Sequence, residues 1–203
     1  MDPRANQKAR TRQALVDAAA ELVAEGEQPT VPEAAERARV SRATAYRYFP
    51  TQDALLLEVS DLTPTFAYVE RALDAMTGDD VEARLVALLD AFNPSALEHE
   101  TLMRTALRVY LDTWFETRRS GSDVAIREGR RMRWLDATLE PLRSELSPAE
   151  WDRLRFALAL TLGAEPMIVM KDVCHVTDDE EIAATLEWVA TTILRGALAD
   201  RTG

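Results

Sequence analysis

Apolar residues recur along this chain with helical spacing, no stretch alternates in the manner of a strand, and turn residues fall at helix-length intervals. That pattern predicts an all-α protein. The apolar stretch Leu15 to Val23 is broken by Asp17 and Glu21. From Thr30 to Gln52 the pattern predicts two short helices joined by a tight turn. Thr30 caps the first, Glu33 completes a T-x-x-E capping box, and Pro32 falls in the first turn, where no amide donor is missed. Ser41 caps the second. Helical geometry turns Ala34, Ala38, Val40, Ala45 and Phe49 inward and Arg42, Ala43, Thr44, Tyr46, Arg47 and Tyr48 outward.

Beyond Gln52 the pattern predicts a helix over 52–61, and another that opens at Thr63 and Pro64 and stops before Gly78. A helix over 80–92 should end at Asn93 and Pro94, and the next should start at Ser95, with Glu98 completing a second capping box, and reach Arg118. RRSGSD reads as a loop, followed by a basic helix over 127–139 that Pro141 ends or kinks. Ser147, Pro148 and Glu150 open a long helix over 148–173, and Thr177 with Glu180 opens the last, over 178–199. There Ile182, Leu186, Val189 and Ile193 form one stripe, which Trp188, Leu194 and Leu198 widen.

The outward face of the second short helix has chemistry that suits a duplex. Arginine forks onto guanine or phosphate, hydroxyls donate to phosphate oxygens, and alanine or a threonine methyl touches a thymine methyl. The duller alternative is a solvated amphipathic helix whose aromatics pack on a neighbour. A net charge of -11 taken alone argues against nucleic acid. Its distribution does not: residues 1–50 hold eight Lys or Arg against seven Asp or Glu, and the rest 16 against 28, so the acid lies outside the reader. Arg4, Lys8, Arg10 and Arg12 form either a phosphate-contacting arm or a solubilising tail.

At Thr30, Val31, Ala35, Ala38, Val40, Ser41, Thr44, Tyr46, Tyr48, Phe49 and Leu55 the chain resembles the TetR family of transcription regulators, whose signature runs close to T-V-x-x-I-A-x-x-A-G-V-S-x-x-T-x-Y-x-Y/H-F-x-x-K-x-x-L. The likeness begins near Thr11 and ends near Leu57. It implies an N-terminal three-helix helix-turn-helix DNA-binding domain over 1–50, and a larger C-terminal helical domain over 51–203 for ligand binding and dimerisation. It places the DNA contacts on Thr30, Arg39, Ser41, Arg42, Ala43, Thr44, Tyr46, Arg47, Tyr48 and Gln52. Three positions depart from the family. Arg39 stands where glycine is usual, in a turn that favours a left-handed backbone. Gln52 stands where a phosphate-binding lysine is common. The EGEQP connection is short, and Ala34 replaces a larger aliphatic.

The surplus apolar surface of the last two helices needs a cover, either a large monomeric core or a second copy. The resemblance implies the second copy, a homodimer formed through Leu158, Leu162, Leu186, Val189, Ile193 and Leu194. Met103, Leu107, Tyr110 and Trp114, spaced four, three and four apart, make one helix stripe that fills a core or lines a cavity. The resemblance implies a cavity for a small, mostly apolar effector, with Phe66, Trp134, Met167 and Met170 in its walls and His99 and Glu165 as polar anchors. Arg127, Arg130, Arg131 and Arg133 read as a solvated face.

His99 and His175 are the only histidines, and neither a metal-ligand spacing nor a glycine-rich phosphate loop is present, so no catalytic residue, metal or cofactor is expected. Cys174 reads as a small packed hydrophobe with no disulfide partner. The apolar run from Phe156 to Met170 is short for a bilayer, and the broken N-terminal stretch does not read as a signal peptide, so a cytoplasmic protein without a membrane partner is expected. The expected function is a ligand-responsive transcriptional repressor on double-stranded operator DNA. The alternatives are a small-molecule-binding helical dimer with a degenerate DNA reader, or an activator of the same fold.

Overall fold

Several helix starts in this chain, those at Thr30, Ser41, Thr51, Asp80, Ser147 and Asp178, are set by side chains that reach back to free backbone amides. The computed structural model describes residues 3–61, 64–121 and 129–199. Its helices are α1 (Pro3–Ala24), α2 (Val31–Arg37), α3 (Arg42–Tyr48), α4 (Gln52–Asp61), α5 (Pro64–Ala75), α6 (Val81–Glu98), α7 (Glu100–Ser120), α8 (Arg130–Thr138), α9 (Pro148–Ala159), α10 (Ala164–Ile168) and α11 (Asp179–Ala199), with no strand among the described residues. The expected capping box at Thr30 forms, and the expected helix start at Ser147 proves to be one too, whereas none forms at Ser95, which lies inside α6. Ser147 Oγ accepts from the Glu150 amide at 3.4 Å, while the Glu150 carboxylate accepts from the Ser147 amide at 2.8 Å. Each closes off amides that a bare helix end would leave open. Asp80 and Thr51 cap α6 and α4 by accepting from Ala83 and Ala54 at 3.1 Å. At α11 the cap is Asp178, which accepts from the Glu180 amide at 2.9 Å, rather than the expected Thr177.

Two sequence expectations about helix limits are corrected. Pro94 does not end its helix: α6 continues to Glu98 and α7 opens at Glu100, with His99 at its N-cap position but making no side-chain cap hydrogen bond to α7. Burial outweighs the proline here, because Phe92, Asn93, Ser95, Ala96 and Leu97 are all buried, and Ser95 shares a 2.9 Å hydrogen bond with buried Thr65. Pro94 and Asp90, whose carbonyl loses its amide partner to the proline, are both exposed residues. The expected long helix over 148–173 is instead broken into α9, α10 and a π turn, Val169–Val173. Gly163 makes the break, with a backbone at φ 124° and ψ −172° that a side chain would strain. A β-carbon there would also lie 1.9 Å from Arg131 Nη2. Arg131 uses the space to donate to the Ala159 carbonyl at 2.9 Å and to Glu165 at 2.7 Å.

The helices group into two units, each with its own core. One holds α1–α4 and α7, the other α5, α6 and α8–α11. In the first, Leu15, Val16, Ala19 and Val23 of α1 meet Val31, Ala34 and Ala35 of α2, Ala45 of α3, Leu55, Leu56 and Val59 of α4, and Val109 of α7. Alanine at these points lets short helices approach closely, so Ala34 needs no larger side chain. The second unit packs α6 on α5 and α11, and α9 on α8 and α11. Trp134 is central to it, tilted against Phe66 and Phe92 at 5.7 and 6.0 Å, with its indole N–H donating to Glu70 at 2.8 Å. By length and composition α11 is apolar enough to cross a membrane; here it packs on α6 and α9. Cys174 is exposed rather than packed. Gly121, at φ 68°, terminates α7, and the rest of the expected 118–123 loop, with Arg127, lies outside the described residues.

Candidate nucleic-acid interface

The turn between α2 and α3 decides how α3 is presented. Val40 N–H bonds to the Ala35 carbonyl at 2.8 Å and Arg39 N–H to Glu36 at 3.1 Å, the paired bonds of a Schellman motif. Arg39 takes the left-handed position at φ 55°. A residue with a β-carbon costs about 1–2 kcal/mol there, and glycine would recover that less about 0.5–1 kcal/mol of its own chain entropy. Arg39→Gly is therefore expected to stabilise the protein by about 0.5–1 kcal/mol. The check is a higher urea midpoint at unchanged slope. Val40, just beyond the turn, packs on the core and fixes the direction in which α3 leaves.

Ser41 caps α3, its Oγ accepting from the Thr44 amide at 3.3 Å and bonding Thr44 Oγ1 at 2.9 Å. Ala45 and Phe49 anchor the inner side of α3 in the core. Ser41, Arg42, Ala43, Tyr46 and Arg47 are exposed, Tyr46 at 48%. The structure differs for Tyr48, expected outward: it is half-buried against the core with the Arg47 guanidinium 5.4 Å from its ring centre. Thr44 is half-buried as well. The outward chemistry thus narrows to two arginines, a tyrosine hydroxyl and a small alanine, beside exposed Arg39 and Thr30. Gln52 is half-buried at the first position of α4, behind the Thr51 cap.

Ion pairs that were not foreseen brace this arrangement from behind. Arg37, closing α2, donates two bonds of 2.9 Å to Glu25 and one of 3.4 Å to Glu21. The Arg37 hydrogen bond holds the Glu25 carboxyl below its ordinary range, and the Thr30 backbone amide does the same for Glu33. A carboxylate held low contributes stability above its unfolded-state value and loses it as pH falls through the folded one, so both braces loosen in acid. Arg12 of α1 forms a bidentate pair with Glu58 of α4 and lies 5.1 Å from the Phe49 ring centre. Arg12 is thereby taken from any phosphate-contacting arm, while Lys8 and Arg10 stay exposed.

The expected effector residues fall into two groups. His99, Met103, Leu107, Tyr110 and Trp114 lie on or at the start of α7, in the first unit; Met103 is buried, Leu107 and Tyr110 are half-buried, and Trp114 is exposed. Phe66, Trp134, Glu165, Met167 and Met170 belong to the second. Of these, Trp134 and Met167 are buried, and Glu165 holds Arg131. Arg130 and Arg131 are not a solvated face: Arg130 stacks 4.1 Å from the centre of Phe66, and Arg131 ties α8 to the helix break. An open depression along α6, lined by Asp80, Glu82, Ala83, Val86, Ala87 and Asp90, contains none of the expected effector residues.

The dimer residues also need correction. Leu158, Leu162, Leu186 and Leu194 are buried within their own chain, because α9 and α11 turn that stripe onto each other and onto α6 and α8. Val189 and Ile193 are half-buried. What remains outside is a different set, led by Leu160, Val173, Trp188 and Phe156 at 77, 69, 66 and 59% exposure.

Residues 15–59 match the family model for bacterial regulatory proteins of the tetR family. No curated protein matches the chain. The match spans α1 to α4 and includes the capped α2, the Schellman turn and α3. Residues 15–59 therefore form a helix-turn-helix domain of the kind found in bacterial regulatory proteins of the tetR family.

Proposed function

We propose that the protein is a ligand-responsive repressor that binds a palindromic operator as a homodimer and is released by a small, mostly apolar effector. The observation that carries this reading is the exposed set Arg42, Ala43, Tyr46 and Arg47 on a helix whose other side is locked into the core by Ala45 and Phe49. A helix held from behind and polar in front enters a major groove without rearranging. In a dimer, two copies of α3 would meet successive grooves about 34 Å apart. Residues 1–50 serve as the reader and 51–203 carry effector and dimer contacts, with α4 and α7 linking the two roles by packing in the reader's own unit. The protein works in the cytoplasm, without catalysis.

An effector lowers operator affinity only by binding the DNA-incompetent state more tightly. Activation in place of repression would use the same contacts. Gln52, which brings no charge to the start of α4, favours the second reading of a weakened DNA reader on a small-molecule-binding dimer. Tyr46→Phe and Arg47→Ala separate these readings. Each should weaken operator binding by about 1 kcal/mol, the scale of a lost hydrogen bond, without lowering the melting temperature. Fluorescence anisotropy at fixed salt reads the effect, and unchanged affinity in both variants would assign the protein to the degenerate reader.

A further inference from the structure

Arg108 is the group whose chemistry the helices leave unfinished. It lies half-buried on α7, and its Nε and Nη2 are closed off from solvent without a hydrogen-bond partner among the described residues. A guanidinium keeps its charge in a protein and carries five N–H donors in a rigid fork. Withdrawing those donors from water with no acceptor is costly, more so than for a neutral group. Two other arginines of α7 show the contrast: Arg104 donates to Glu100 at 2.6 Å, and Arg118 lies 5.7 Å from the Trp114 ring centre. Elsewhere, Asp136 Oδ1 and Arg155 Nε are equally enclosed but lie 2.5 Å apart and complete each other. Among the described residues Arg108 has no such complement, and the hydroxyl of Thr138 is the other enclosed group without one, but carries no charge.

We propose that Arg108 anchors the carboxylate of an effector with an apolar or aromatic body. A carboxylate matches the guanidinium fork with two parallel charge-assisted hydrogen bonds. The body has a seat on the same arc of α7, where Leu111, Trp114 and Phe115 stay exposed and the two rings meet edge to face at 5.0 Å. Arg108 is only half-buried as a residue, so a carboxylate reaches the enclosed Nε and Nη2 once the side chain swings outward along α7. Its neighbour Val109 is fully buried in the core that carries α2 and α3, and Leu102 packs on the same core. A ligand drawn to Arg108 therefore acts one residue away from the packing that holds the DNA reader. This rests on reading α7 as the effector helix, and deepens it by naming the ligand's class as a monocarboxylate.

The test uses the full chain without DNA. Octanoate, laurate and 2-naphthoate are titrated calorimetrically beside their methyl esters, against the parent, Arg108→Met and Arg108→Lys. At least one acid should bind the parent about tenfold more tightly than its ester, the effect of a charge-assisted bond. In Arg108→Met that preference should vanish while ester binding persists, and the ligand-free variant should melt no lower than the parent, because a neutral side chain of similar length removes an uncompensated charge. No acid preference in the parent, or a preference that survives in Arg108→Met, overturns the proposal. So does a lower melting temperature in Arg108→Met that Arg108→Lys restores, which would make the charge structural. Operator binding without acid preference rejects the anchor alone, and acid preference without operator binding rejects the repressor reading alone.

Discussion

Leu160→Glu combined with Trp188→Glu is expected to convert the protein to monomers and to lower operator affinity about a hundredfold or more, the scale on which joining two binding modules exceeds one. Leu160 and Trp188 are the most exposed large hydrophobic residues of the second unit after Val173 is set aside, and they lie at the end of α9 and on α11, which pack together. A leucine and a tryptophan left mostly in water on neighbouring helices mark a surface that another surface covers. A second copy, as proposed above, would cover it symmetrically. Glutamate at both positions would desolvate two charges per chain on association, and neither position supports the fold of a single chain. Circular dichroism should be unchanged while sedimentation shifts to the monomer. A parent chain that sediments as a monomer at micromolar concentration, or a double variant that remains dimeric, defeats the proposed interface.

Phe49→Ala is expected to cost about 3–5 kcal/mol, the range for deleting a buried phenylalanine, and to unfold the reader at temperatures where the parent is intact. Phe49 closes α3, is 1% exposed, and meets α1 and α4 residues in the core. Its ring also lies under the Arg12 guanidinium that pairs with Glu58. Removing it opens a cavity where three helices converge and leaves α3, only seven residues long, without its anchor. A helix that short does not persist without tertiary packing. Urea denaturation should show the loss directly, together with loss of operator binding. A midpoint within error of the parent would mean that α3 is held from elsewhere.

Local chemistry was legible in the sequence wherever it depends on residues three or four apart. Thr30 with Glu33, Ser41, and Ser147 with Glu150 mark helix starts because a cap needs only its own first turn. The left-handed position at Arg39 was legible only through the family resemblance, in which glycine usually holds that place in the turn. Pro94 misled because its local cost is outweighed by burial of the residues around it. Gly163 was passed over because helical periodicity does not show that a distant arginine occupies the space of its missing side chain. Periodicity likewise found the apolar stripe of α11 but not which surface covers it. Leu186 and Leu194 turned inward, leaving Trp188 out. The braces Arg12 to Glu58 and Arg37 to Glu25 join residues 46 and 12 apart, and the isolation of Arg108 is defined only by what fails to reach it. No pattern in the chain encodes such pairings.

The measurement that tests the central claim most directly is a footprint of the parent chain on the DNA upstream of its own gene, with Tyr46→Phe, Arg47→Ala and the Leu160→Glu, Trp188→Glu variant beside it. If α3 reads operator DNA from a dimer, the parent protects two symmetric half-sites about one helical turn apart. Tyr46→Phe and Arg47→Ala then protect the same positions only at higher concentration, and the monomeric variant protects neither half-site at concentrations that saturate the parent. Protection spread evenly over unrelated sequence, unchanged by the α3 variants, would contradict the account.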